Sequence, residues 1–309
     1  MDYEAGDLRI EGNNYYVQSK RKFVEYAKMD LYDTKKCFDF AYDMSYGNAG
    51  EHRDHRNGGI AHRENGQIFV NTFQGKMAEY AVYRYLKSKN IQVELPDLET
   101  YSLGQWDLFD LECKNKHISV KSTKSFGQLL LLEERDWNWN GEYVPNLQSG
   151  TDKYDYTILV RFQPNAEALM KKNGLLNQRD EEISGNIKNL LWECFGNQEW
   201  GYDFAGFIFY SELVKMIRQN RIIPQNALVN GKTKMDATNY YFQAGNMHAL
   251  FELYTRDVQQ KRDEREEDRL ERTCPWCGRK LILRKGYSWF WGCEGYSQIP
   301  KCTYTCQMD

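Results

Sequence analysis

Three stretches of this chain have residue types and spacings that could do chemistry. The first is residues 104–124, GQWDLFDLECKNKHISVKSTK, where residues 106–111 and 118–123 alternate around a polar stretch at 112–116. That alternation predicts two short antiparallel strands. Asp107 and Lys121 each stand seven residues from Lys114, the middle of the turn, so they fall opposite one another. Facing Cβ atoms in such a pair are roughly 5 Å apart. A carboxylate and an ammonium on one face suit metal-assisted hydrolysis of a phosphodiester. The oxygen is a hard ligand for Mg²⁺, and the cation stands near the attacked phosphate and the water. The same pair also reads as a surface ion pair.

The second stretch is C-terminal, where Cys274, Cys277, Cys293 and Cys302 follow C-x2-C-x15-C-x8-C. Four thiolates in two close pairs suit tetrahedral Zn²⁺, and a segment with so few aliphatic residues needs such a staple. Cys306 is the alternative fourth ligand. Arg279, Lys280, Arg284 and Lys285 interleave with Tyr287, Trp289, Phe290 and Trp291, combining charge with stacking surface as nucleic-acid modules do. A purely structural knob is the competing reading. The third stretch, HRDHRNGGIAH at 52–62, groups three histidines around a Gly-Gly break and reads as a polar loop.

These side chains need elements to hold them. Ala78, Ala81, Val82, Tyr85 and Leu86 recur at helical spacing, predicting a helix over 75–89 with Glu79 on its flank, able to reach toward the sheet it packs on. A first strand is expected at 91–95. After the hairpin comes an apolar run at 127–132, closed by Glu133 and Glu134. The near-continuous apolar run at 154–162 predicts a strand in the sheet interior. Helices follow at 187–194 and 211–218, and strands at 204–209 and 239–242; another helix is expected at 19–31. Strands and helices alternating around one sheet give an α/β core over residues 59–258. The role of 1–58 stays open in the sequence. Residues 259–273, with balanced charges and no apolar face, read as a solvated helical linker to the module at 274–309.

Composition narrows the class without deciding the partner. A chain of 309 residues that is 41% hydrophobic can bury a real core. No apolar run approaches 18 residues and the start has no basic-then-apolar leader, so an intracellular, cytoplasmic protein without a membrane span is expected. The net charge of −3 does not advertise a nucleic-acid partner, though a local basic face is compatible with it. Five of the eight cysteines lie in the last 36 residues, which suits metal ligands better than a disulfide framework. Cys37, Cys113 and Cys194 read as ordinary thiols.

The order of a helix bearing Glu79, a strand, the Asp107 strand and the Ser119-Val120-Lys121 strand resembles the PD-(D/E)XK nuclease superfamily, the restriction-endonuclease fold. The likeness covers roughly residues 59–165, with FQGKMAEYAVYRYL preceding WDL and ISVKSTK. It implies an α/β core with a central mixed sheet flanked by helices, and Mg²⁺-dependent cleavage of double-stranded DNA that leaves 5′-phosphate and 3′-hydroxyl ends. By that likeness Asp107 binds the metal, Lys121 orients or helps deprotonate the water, and Glu79 completes the site. One position departs from the pattern: Ser119 stands where an acid is expected, and serine is a poor Mg²⁺ ligand. Restriction enzymes recognising CCGG and CCNGG cores show the same SVK and take a glutamate about a dozen residues later. Glu134, thirteen after Lys121, would then be the second metal ligand, with Glu133 as its neighbour and alternative. The resemblance further implies a homodimer and a cognate DNA methyltransferase. A DNA-binding protein with a decayed core, and a repair or recombination nuclease recognising DNA structure, are the other readings. The C-terminal CPxCG opening and the aromatic-Gly-Cys before the third ligand resemble the four-cysteine zinc finger of bacterial type I topoisomerase tails. That likeness implies a structural zinc and DNA contacts by Arg279, Lys280, Arg284, Lys285, Trp289 and Trp291.

Overall fold

The computed structural model describes residues 6–47, 64–98, 110–149 apart from Lys114, 153–177, 186–253, and 274–307 apart from 286–288. The chain divides into two compact units, Met1–Leu250 and Phe251–Asp309.

The larger unit begins with a hairpin of β1 (Arg9–Glu11) and β2 (Asn14–Tyr16), then runs extended through β3 (Ala27–Lys28) into helix α1 (Leu31–Ser45). The helix expected at 19–31 is therefore absent, because distant side chains take the backbone groups a helix would need. Gln243 Oε1 accepts from the amides of Gln18 and Ser19 at 2.7 and 2.9 Å, Asp203 accepts from Val24 at 3.0 Å, and Arg161 donates to the carbonyls of Arg21 and Lys22. Helix formation waits until Asp30, whose side chain accepts from the Asp33 amide at 2.7 Å and caps α1.

Helix α2 (Asn65–Ser88) is longer than its periodic stretch and buries Phe69, Phe73, Met77, Ala78, Ala81, Val82, Tyr85 and Leu86. Ile91 and Val93 beyond it are buried, but the strand expected there pairs with no strand among the described residues. Next come β4 (Leu111–Cys113), β5 (Lys116–Lys124) and β6 (Leu129–Glu133), then β7 (Tyr156–Gln163), α3 (Ala166–Lys172), α4 (Ile187–Phe195), β8 (Gly201–Phe209) and α5 (Tyr210–Arg218). Short strands β9 (Ile222–Ile223), β10 (Leu228–Val229) and β11 (Thr233–Lys234) lead to β12 (Asn239–Gln243).

The result is a mixed α/β architecture. The central sheet has the order β3-β8-β7-β5-β4, with β5 and β7 parallel and the other neighbours antiparallel. The single sheet expected from sequence is in fact three, since β6-β12-β9 and β1-β2-β10-β11 are separate. The break lies in the tight turn after β5, where the Gly127 amide donates to the Lys124 carbonyl at 2.7 Å and a Cβ on Gly127 would stand 2.5 Å from the Thr123 side chain. β7 is buried on both faces, as its composition predicts. Tyr85 of α2 covers one face through Phe204, at 5.1 Å between ring centroids. The other face joins a cluster including Leu130, Leu159, Ile208, Leu213, Ile217 and Phe242. Among the described residues no helix is long and apolar enough to cross a membrane.

The smaller unit holds a three-stranded antiparallel sheet of β13 (Leu281–Lys285), β14 (Trp289–Cys293) and β15 (Thr305–Gln307). Its core is Leu281, Trp291 and the cysteines Cys274, Cys293 and Cys302.

Candidate functional site

The β4–β5 hairpin turns at Asn115, which takes a left-handed backbone (φ 60°) that asparagine tolerates better than most residues. Its pairs are Leu111 with Ile118, Glu112 with His117 and Cys113 with Lys116. The centre thus falls between residues 114 and 115 rather than on Lys114, and the register differs by one residue from the expected one. Asp110, not singled out in the sequence, is the carboxylate this register brings to Lys121. Its Oδ2 accepts from the Val120 amide at 2.6 Å and the Ser119 hydroxyl at 3.2 Å, and lies 3.8 Å from Lys121 Nζ. Asp107 lies outside the described residues. Counting outward from a two-residue turn containing Asn115 was the signal that could have found Asp110.

Alternation along β5 sets the direction of these side chains. Lys121 is in register with Leu159 and Ser122 with Val160, and Val160 shares a face with Phe204, which α2 covers. Ser119 and Lys121 therefore point away from α2. Ser119 is buried, whereas the Lys121 side chain keeps 39% of its surface in water.

Glu79 is buried in α2, where its carboxylate accepts from Lys76 Nζ at 2.9 Å. It also lies close enough to α1 to act on Cys37: burial pushes that thiol well up, and the charges of Glu79 and Asp33 add to the effect. Glu79 thus sits at the seam with α1. Glu134 opens a 3-10 turn after β6, is exposed, and its amide donates to the Thr238 carbonyl at 3.0 Å. Burial and the charge of Glu134 together raise the Tyr240 hydroxyl pKa. Glu133 ends β6 opposite Asn239. Of the acids expected from sequence, neither Glu79 nor Glu134 is hydrogen-bonded or ion-paired to Lys121.

In the smaller unit the four expected cysteines converge. The Sγ atoms of Cys274, Cys277, Cys293 and Cys302 lie within 4.8 Å of one another, with Cys274–Cys302 at 3.6 Å and Cys277–Cys293 at 3.4 Å. Tetrahedral zinc with Zn–S bonds of about 2.3 Å requires sulfurs about 3.8 Å apart, so this donor set fits Zn²⁺. The knuckles are built for it. Gly278 turns with φ 69° as its amide donates to the Cys274 carbonyl, and the Gly295 amide donates to Cys293 Sγ at 3.3 Å. Burial opposes ionisation of Cys274, yet amides of Trp276 and Cys277 and the neighbouring thiols bring it down to about 7. Burial and the other three sulfurs push Cys293 up to about 12. Four thiolates this close would repel one another, and a bound dication would offset that repulsion as the protons leave. Cys306 is outside the cluster, in β15 opposite Trp291, so the fourth sulfur of the cluster is that of Cys302.

The expected stacking surface needs correction at Trp291, which is only 5% exposed and packs in the module core. β14 alternates, and Trp291 lies on its inner face. Arg279 donates to the Pro300 carbonyl and Arg284 to that of Cys293, so both brace the knuckles. Lys280 is exposed; the side chains of Lys285 and Trp289 lie outside the described residues. Among the described residues the aromatics open to solvent are instead Trp276, 70% exposed and edge-on to Tyr304, and Tyr296, with Lys301 Nζ 4.2 Å above its ring.

No family profile and no solved structure matches the chain. Over 42 residues it is 57% identical to DNA topoisomerase 1 of Methanocaldococcus jannaschii, a segment that makes up 13% of this chain and 5% of that protein. The likeness is thus one of a small module, consistent with the resemblance of residues 274–302 to topoisomerase tails.

Proposed function

We propose that this protein is a Mg²⁺-dependent endonuclease of restriction type that hydrolyses phosphodiester bonds in double-stranded DNA. The observation that carries the reading is Asp110 held against Ser119, Val120 and Lys121 at one end of a mixed sheet. Mg²⁺ commonly binds through one or two carboxylates, with water and substrate phosphate oxygens completing its shell. Hydrogen bonds from Ser119 and Val120 engage Oδ2 of Asp110, which leaves Oδ1 to face a cation. A bound Mg²⁺ would supply Lewis acidity and a lowered water pKa. Lys121, half in water, is placed to stabilise charge developing on the phosphate, while Ser119 orients the carboxylate and need not itself be a ligand. Glu134 is the candidate second carboxylate. The topoisomerase-like module supports DNA as the partner, its zinc structural because four thiolates leave no position for water.

The test is plasmid cleavage by the purified protein in Mg²⁺. Asp110→Asn and Lys121→Ala should each reduce cleavage by about 10² or more while DNA binding persists; Asp107→Asn run beside them shows which aspartate carries the role. A plasmid left intact by the native protein over many sequences overturns the reading. It would favour the second one, a DNA-binding protein without catalysis, whose supporting observation is Ser119 at the position of the missing acid. That protein would bind DNA in a salt-dependent manner without Mg²⁺, and Lys121→Ala would cost it nothing.

A further inference from the structure

No Asp or Glu lies between Glu212 and Asp236, whereas Lys215, Arg218, Arg221, Lys232 and Lys234 do, in a chain whose net charge is −3. Between Glu11 and Glu25 the charged residues are again all basic: Lys20, Arg21 and Lys22. Stretches this one-sided are not needed for a solvated surface, on which both signs normally mix. The fold joins part of each stretch in one sheet, to which the basic stretch at 212–236 contributes Lys232 and Lys234. β2 pairs in parallel with β10, β10 pairs with β11, and β1 closes the outer edge of the four-stranded sheet.

One face of this sheet is taken. Tyr15 and Val229 pack on Leu8, Val17, Ile223, Ala227, Met235 and Tyr241. Alternation then turns Arg9, Glu11, Asn14, Tyr16, Leu228 and Lys234 to the opposite face. There the Arg9 guanidinium lies over the Tyr16 ring at 4.5 Å. The tips at Gly12, Asn13, Gly231 and Lys232 are exposed, yet they are fixed. Asn13 Nδ2 donates to the Asn226 carbonyl and the Val17 amide to Asn230 Oδ1, both at 3.0 Å. Glu11, on this same face, pairs with Arg9, while Asp7 pairs with Arg221 and Asp236 follows β11.

We propose that the β1-β2-β10-β11 sheet is the surface by which the larger unit engages duplex DNA. Lys232 and Lys234 would neutralise phosphates, and the tip amides would meet base edges in the major groove, which admits a two-stranded ribbon. Charge complementarity selects the partner, and the cross-bonded tips supply the rigidity that groove reading needs. The proposal rests on the DNA-cleaving reading above, but concerns residues apart from Asp110 and Lys121.

Binding of a labelled duplex pool to the full chain without Mg²⁺, measured across salt concentrations, tests it. Each phosphate contact contributes about 0.9 to the slope of log affinity against log salt, so Lys232→Ala/Lys234→Ala should lower that slope by about 1.8 and weaken binding roughly tenfold. Lys171→Ala/Lys172→Ala, which removes the same charge from α3, should leave both unchanged. If the native protein binds and the sheet variant matches it in slope and affinity, this surface is rejected while the nuclease reading stands. Equal losses in both variants also reject it, since only overall charge would then matter. A native protein that neither binds nor cuts duplex DNA rejects the nuclease reading itself and this proposal with it.

Discussion

Asp110 Oδ2 answers a hydroxyl, an amide and an ammonium at once, and that sharing explains why a serine is tolerable at position 119. A carboxylate there would face Asp110 across the hairpin, and like charges so close raise one pKa strongly. The hydroxyl avoids the conflict and donates instead. Ser119→Ala is therefore expected to keep most cleavage, within about tenfold of native, whereas Glu134→Ala should abolish it if Glu134 supplies the second metal carboxylate. Retained cleavage in Glu134→Ala with loss in Glu133→Ala would move the role back one residue, and retention in both would reject the route. The face of Lys121 was legible in the sequence, since SVK alternation within a strand leaves it little freedom. Asp110 was not, because one residue of error in a turn centre exchanges every cross-strand partner.

Among the elements, β7 and α5 were readable to within a few residues, whereas α2 begins ten residues before the periodic stretch that announced it. β7 announced itself by an uninterrupted apolar run and α5 by its apolar spacing, because burial pattern alone decides such segments. Residues 19–31 failed for the opposite reason. Their conformation is set by groups far away in sequence, above all by Arg161, which is fully buried, binds Asp203 through two bonds of 2.8 and 2.6 Å and donates to the carbonyls of Arg21 and Lys22. No local pattern reports a partner some 140 residues away. Arg161→Leu would leave Asp203 as a buried charge without its counter-ion, at a cost of about 3–5 kcal/mol. A urea midpoint shifted by far less would show that the extended segment holds its place by other means.

At the scale of the molecule, two compact units imply two separable stabilities. Zinc binding should carry the folding of the smaller one, since its sheet buries little beyond Leu281, Trp291 and the cysteines. Stripping the metal with a chelator is expected to abolish near-ultraviolet signal from the tryptophans of 274–307 while the main thermal transition of 1–250 stays in place. Truncation at residue 258 should weaken DNA binding yet leave cleavage measurable at high enzyme concentration. One cooperative transition, lost whole on chelation, would contradict this separation. The spacing of four cysteines made the module legible, whereas the assignment of its tryptophans needed the strand pairing.

The four-stranded sheet joins the two ends of the larger unit, Asn13 bonding to Asn226 across 213 residues of chain. On a ribosome adding about 5–20 residues per second, β2 waits on the order of 10–40 s before β10 exists to pair with it. Through that interval the first hairpin offers β2 as an open edge, while the exposed, charged Arg9 and Glu11 of β1 are the kind of residues that discourage wrong pairing at its outer edge. A polypeptide wired this way completes its tertiary structure only after synthesis has passed the last strand. Under the DNA-cutting function proposed above, a cell making this protein would thereby be spared a nascent chain that acts before it is finished.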